Sequence, residues 1–143
     1  MKRLLVLVVL LAQPALVSGQ RALTLPRART EILWDRYGVP HVYARDGGSL
    51  FYAFGWAQMQ NHGNLVLRLY GQARGRAAEY WGEEFLESDH WVRTNGIPAR
   101  ADRWYRQTRS EYRGYIDAFV AGMNAYAAEN AAQLSAAERV VLP

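Results

Sequence analysis

The chain has 143 residues, no cysteine and a formal net charge of +4, with 17 basic against 13 acidic side chains. Disulfides, thiol chemistry and cysteine metal sites are therefore excluded, and stability has to come from an apolar core, for which five Trp, nine Tyr and four Phe supply bulk. The arginines are interleaved with acids rather than clustered, which argues against a nucleic-acid partner, because phosphate binding needs a concentrated basic face.

Residues 1–19 have the three parts of an export signal. Lys2 and Arg3 are positive, Leu4 to Ala12 is unbroken apolar sequence, and Pro14 ends it ahead of the small residues Val17-Ser18-Gly19. The apolar run is shorter than the ~20 residues that cross a bilayer. Cleavage after Gly19 is expected rather than a membrane anchor, and the destination is the periplasm or the outside. Removing residues 1–19 from 143 leaves 124, with 15 Arg against 13 acids and a formal net charge of +2. That is enough for one modest domain. No later segment reads as a membrane span.

Residues 20–29 show no period and read as an extended leader. Thr30 to Asp35 and His41 to Ala44 read as strands. Gly38 and Pro40 between them predict a β-hairpin or two closely spaced strands. Asp46-Gly47-Gly48 predicts a turn and Ser49 a helix cap. In the helical stretch that follows, Leu65, Val66, Leu69, Tyr70 and Ala73 share a face expected to turn inward. Gly55, Gly63, Gly71 and Gly75 punctuate it, each weakening a helix by about 1 kcal/mol relative to Ala, so they are expected to mark close packing or helix ends. Ala77 to Trp81 reads as a short helix closed by Gly82.

Residues 83–100 are mixed, with turn signals at Asn95-Gly96 and Pro98. Asp102 is placed to cap a helix through Trp104 and Tyr105. Tyr112, Tyr115, Ile116, Phe119, Val120, Met123, Tyr126 and Ala127 recur at helical spacing and predict an amphipathic helix. Ser135-Ala136-Ala137-Glu138 matches a capping box that opens one more short helix. The fold class is mainly α with a short N-terminal β-hairpin.

Chemistry-bearing residues are few. His41, His62 and His90 lack metal-ligand spacing and read as structural. Glu83, Glu84, Glu87 and Asp89 lack the register of a calcium loop and read as a solvated surface. Ser49 follows Gly48, the kind of bond at which some hydrolases cut themselves, but the pair fits a turn and cap better. No catalytic, cofactor-binding or metal-binding residue is assigned in residues 20–143.

Whole strings say more than single residues. The segment Glu31 to Ala44 (EILWDRYGVPHVYA) resembles the opening of the penicillin acylase family. Gly55-Trp-Ala-Gln58 and Arg68 to Gly82 (RLYGQARGRAAEYWG) resemble the helices that follow it. Trp91 to Pro98 and Phe119 to Tyr126 continue the likeness in order, and the wording is most like the α chain of the glutaryl-cephalosporin acylases. The resemblance implies an N-terminal-nucleophile hydrolase with a four-layer αββα α+β fold, exported as a precursor of signal, α chain, spacer and β chain. It implies that a serine freed at the start of the β chain attacks the amide, with its own amino group as base. It also implies a partner, the β chain of the same precursor, a small acylated amide as substrate, and a calcium site in the parent whose ligands lie beyond Pro143. Residues 20–143 are thus expected to be a partial α-subunit segment, inactive and prone to self-association when expressed alone. No nucleic-acid or membrane partner is expected.

Overall fold

A computed structural model describes residues 30–142. The expected export signal and leader lie outside the described residues. Strands β1 (Glu31–Trp34) and β2 (Pro40–Tyr43) form an antiparallel hairpin in the register Ile32 opposite Val42 and Leu33 opposite His41. Asp35 builds the turn. Its carboxylate accepts from the Tyr37 amide at 2.8 Å and the Val39 amide at 3.0 Å, and Gly38 takes the left-handed φ of 76° that the reversal needs. These bonds, the Val39 amide foremost, hold the Asp35 carboxyl below its ordinary value. Pro40 enters β2 at its first position, where a missing N–H is tolerated.

Helix α1 (Gly47–Ala73) runs 27 residues with a kink at His62, whose φ is −137° and ψ 22°. Its cap is Asp46, not Ser49 as the sequence suggested. The Asp46 carboxylate accepts from the Ser49 amide at 2.7 Å and from the Ser49 hydroxyl at 3.1 Å. An aspartate serves better here because its two oxygens take both donors. The Ser49 amide is the main reason the Asp46 carboxyl titrates below its usual value. Because folding lowers this carboxyl, its stabilisation is present above the ordinary carboxylate range and is lost as the pH falls through it. Asp46→Ala is expected to lower the unfolding midpoint at pH 7, and the gap to the parent sequence to close as the pH falls below the ordinary carboxylate range. Thermal melts across pH read both.

The chain then returns through three helices, α2 (Ala77–Trp81), α3 (Leu86–Thr94) and α4 (Ile97–Gln107), before α5 (Ser110–Glu129) and the short α6 (Ala136–Arg139). Helix α3 was not anticipated. Asp102 lies inside α4 rather than at its cap. That helix starts at Ile97, behind Gly96 with a left-handed φ of 63° and with Pro98 in its first turn. Asp102 instead pairs with Arg106 one turn on.

Helices α1 and α5 run in the same direction. Phe51 stacks on Tyr115 with ring centroids 5.0 Å apart, and Trp56 meets Tyr126 edge-on at 5.1 Å. Between these pairs the two backbones touch. A methyl group on Gly55 would collide with the Phe119 carbonyl, and one on Gly122 with the Tyr52 carbonyl. Beyond the crossing, Met59, Leu67, Tyr126, Ala127 and Leu134 form the buried core, with Trp56, Val66, Met123 and Leu142 packed around it.

The inward face of α1 is therefore Ala53, Gly55, Ala57, Met59, Gly63, Leu67 and Gly71. Most of the expected face is turned the other way: Leu65 and Leu69 are 55% and 53% exposed, while Val66 does pack against the core. Close helix approach selects small residues, so the large apolar ones lie outside the crossing.

The C-terminal turn is fastened from several sides. The Ser135 amide donates to Asn64 Oδ1 at 2.9 Å, and the Trp81 indole to the Ala137 carbonyl at 2.8 Å. The Ser135 hydroxyl accepts from the Glu138 amide at 3.3 Å, which is half of the expected capping box. The buried Glu138 carboxylate turns to the Ser135 hydroxyl and to Arg68 Nε at 3.2 Å, rather than back to the Ser135 amide. Arg68 in turn lies over the Trp81 ring at 5.1 Å.

Candidate functional site

The residues with reactive side chains are spread over separate elements. His41 lies on the hairpin, 3.4 Å from Asp35, and is exposed. His62 is exposed at the kink of α1, and His90 on α3 faces Thr94 at 3.5 Å. The Ser49 hydroxyl is spent on the Asp46 cap. Among the described residues no three His, Cys, Asp or Glu side chains converge where a metal ion could be held.

The acidic group splits in two. Glu83, Glu84 and Glu87 are exposed. Asp89 is not part of a solvated surface: it is buried and accepts from the Ala77 amide at 2.9 Å and the Ala78 amide at 2.8 Å. It caps α2 from another helix, because Arg76 at the local cap position offers no side-chain acceptor.

A concavity with an apolar lining is large enough for a small molecule. A cleft of about 560 Å³ runs beside α1, walled by Met59, Val66, Leu67 and Tyr70, by Val120 and Met123 of α5, and by residues 140–142. Arg74, Arg76, Glu79 and Tyr80 stand at its polar end. Arg76 grips Glu79 through two nitrogens, one of them at 2.6 Å. This pairing pulls the Glu79 carboxyl down and pushes Arg76 up. Arg74 makes no ion pair among the described residues. It lies over the Tyr70 ring at 5.2 Å and reaches the Tyr80 hydroxyl only at 3.5 Å. Periodicity missed this cleft because its walls come from three distant stretches of chain. The local signal was an apolar face ending in two arginines.

Apolar side chains also lie bare elsewhere. Leu50, Phe54, Leu65 and Leu69 on α1 and Tyr112, Ile116 and Val120 on α5 are exposed, as are Trp91 and Trp104 on the return helices. No helix among the described residues is long and apolar enough to cross a membrane.

A two-strand hairpin feeding a long kinked helix, crossed by a second parallel helix, is a recognisable arrangement. The family model for penicillin amidase matches residues 29–142. The chain belongs to the penicillin amidase family. Penicillin acylase 2 proenzyme of Pseudomonas sp. (strain SE83) is 31% identical over 121 residues, which are 83% of this chain and 16% of that protein. Penicillin G acylase of Escherichia coli is 29% identical over 96 residues, 67% of this chain and 11% of that protein. Acyl-homoserine lactone acylase PvdQ of Pseudomonas syringae pv. syringae (strain B728a) is 31% identical over 137 residues, 88% of this chain and 17% of that protein. Among solved structures, a thermostable penicillin G acylase from Alcaligenes faecalis superposes with a TM-score of 0.68 at 27% identity, covering 78% of this chain and 60% of that one. The chain spans about a sixth or less of the length of these curated relatives.

Proposed function

We propose that this chain is the N-terminal part of an exported acylase precursor, a hydrolase that removes an acyl side chain from an amide. The observation that carries the reading is the family match over residues 29–142, nearly all of the chain after the export signal. In this reading the hairpin and helices are the early part of an α chain, with the bare apolar faces of α1 and α5 packing against the partner chain cut from the same precursor. That the relative from Pseudomonas sp. is a proenzyme supports a processed precursor. The nucleophile is then the N-terminal serine of the partner chain, and the compartment is the periplasm or the outside. The preferred substrates are β-lactam amides with side chains such as glutaryl. Acyl-homoserine lactones are the second reading, supported by the match to an acylase of that name over 88% of this chain.

The test is to express the complete reading frame that begins with this sequence. Two chains are expected, the second opening with serine on N-terminal sequencing, together with release of the free β-lactam amine from an acylated β-lactam. Release of homoserine lactone instead would select the second reading. A single unprocessed chain with neither activity would sink both and favour a non-catalytic exported binding protein. Residues 20–143 alone are expected to lack amidase activity and to self-associate through the exposed apolar side chains. A monomeric elution volume with a sharp thermal transition would refute the second half of that expectation.

A further inference from the structure

Asn95-Gly96 joins α3 to α4, and it is the one place in the chain where glycine follows asparagine. Glycine matters there chemically as well as sterically. Its amide nitrogen, unhindered by a side chain, can attack the side-chain carbonyl of the preceding asparagine. The N–Cγ bond forms, and ammonia leaves carrying the proton that the amide gives up. Water then opens the cyclic imide at either carbonyl, giving aspartate or isoaspartate with no change of oxidation state. Asn61, Asn64, Asn124 and Asn130 are followed by His, Leu, Ala and Ala, whose side chains slow this attack.

The junction holds the two reacting groups apart. The Asn95 side-chain nitrogen donates to the Trp91 carbonyl at 2.8 Å, which turns the carboxamide back along α3. The Gly96 amide, the nucleophile, donates to the Arg93 carbonyl at 2.9 Å. The same peptide group is pinned at its other end, where the Asn95 carbonyl accepts from Arg100 Nη2 at 2.8 Å. Asn95 has ψ 0°, and ring closure requires this peptide plane to turn through a large angle. The bonds to Arg93 and Arg100 break when it does. Arg93 is itself anchored, its Nε donating to the Gly75 carbonyl at 2.7 Å, so the turn does not follow the rotation as a unit.

We propose that Asn95 is a site of spontaneous deamidation, kept closed by the C-terminal cap of α3 and opened when that cap frays. The product loosens α4. Aspartate puts a charge at the negative end of α3, isoaspartate lengthens the main chain by a methylene, and both forfeit the amide donor to Trp91. Helix α4 has little else to hold it. None of its residues is buried, and its side-chain bond to α5 runs from the Tyr105 hydroxyl to Asp117 at 2.5 Å. These bonds lie within the chain, so the inference does not rest on the acylase reading.

The full chain, incubated folded and in guanidinium chloride at one mildly alkaline pH, tests the proposal. Mass spectrometry of the tryptic peptide containing Asn95 gives the rate, and methyltransferase labelling detects isoaspartate. The unfolded chain should convert Asn95 ahead of Asn124 and Asn130, and the folded chain should convert it about tenfold or more slowly. Arg100→Ala should raise the folded rate several-fold and leave the unfolded rate unchanged. Arg100→Lys keeps a donor and should stay nearer the parent sequence, and circular dichroism checks that each variant keeps its helix content. In material enriched in the product, the Arg100 amide, bonded to the Gly96 carbonyl at 3.0 Å, should exchange faster while the Ala77 amide keeps its protection. Any of four results would overturn the proposal: equal folded and unfolded rates; a folded rate untouched by Arg100→Ala; Asn95 lagging behind Asn124 or Asn130 in the unfolded chain; or unchanged exchange at Arg100 in the product.

Discussion

Gly122→Ala is expected to destabilise the fold by about 3 kcal/mol, at the upper end of what a single inserted methyl does in a packed interior. The reason is what stands opposite. A Cβ at Gly122 meets the Tyr52 carbonyl and the Trp56 amide, both backbone atoms of α1. No side chain can swing aside, so the helices themselves must separate, which loosens the Trp56–Tyr126 contact next to the crossing. Gly55→Ala acts on the same crossing from the other side, against the Phe119 carbonyl. Once one methyl has pushed the helices apart, the second meets less resistance, so the double variant should cost less than the two single effects combined. Gly114→Ala is the control. Nothing lies within 4 Å of a Cβ there, and removing a helix-interior glycine should add about 0.5–1 kcal/mol. Denaturant titrations of the four variants read the sign as well as the size. A neutral Gly122→Ala would mean that α1 and α5 do not touch at their backbones.

The second large effect is expected at Asp89. Asp89→Ala strips the acceptor from two amides at the start of α2, one of them on the fully buried Ala77. Each was bonded to a charged oxygen, and a buried donor left without a partner carries its desolvation penalty. The loss should be about 3 kcal/mol. Asp89→Asn keeps one acceptor and should lose roughly half of that. Amide hydrogen exchange gives the local signature: Ala77 and Ala78 should exchange faster in Asp89→Ala even where the global melt still looks cooperative. Unchanged protection at these two amides would remove Asp89 from the capping role.

These two sites show where sequence reasoning reaches its limit. Local patterns were legible. The hairpin announced itself through Gly38 and Pro40, α2 through the glycine after Trp81, and α5 through a long apolar period. Ser135 was recognised as a cap from its own four residues. The glycines of α1 were read as points of close packing or helix ends, and Gly55, Gly63 and Gly71 do lie buried within the helix. Which face turned inward was misread, because Leu65, Leu69 and Tyr70 look like core in a helix considered alone. The crossing with α5 reverses the preference, since backbone approach excludes large side chains. Helix α3 escaped because no side chain caps its start, and it buries only Asp89 and Val92. Asp89 was placed on the surface because its partners sit on a different helix, beyond the reach of any helical period. The family, by contrast, was legible from five ordered strings, because a string records every contact its residues make, including those no local rule predicts.

The parallel course of α1 and α5 also sets the order in which the molecule can assemble. Two helices joined by a short turn fold back on each other at once, but parallel ones need a return path, here residues 74–109. Closing so long a loop carries an entropic penalty that is repaid only when the distant contacts form. Until Phe119 and Gly122 have been synthesised, Gly55 has no neighbour, and the core waits further for Leu134 and Leu142. The hairpin and the helices as far as α4 therefore leave the ribosome with contacts of their own but without the helix that closes the core. A nascent polypeptide in that state has its hairpin and early helices in place, while the face of α1 that takes α5 stays open until residues 110–129 are made.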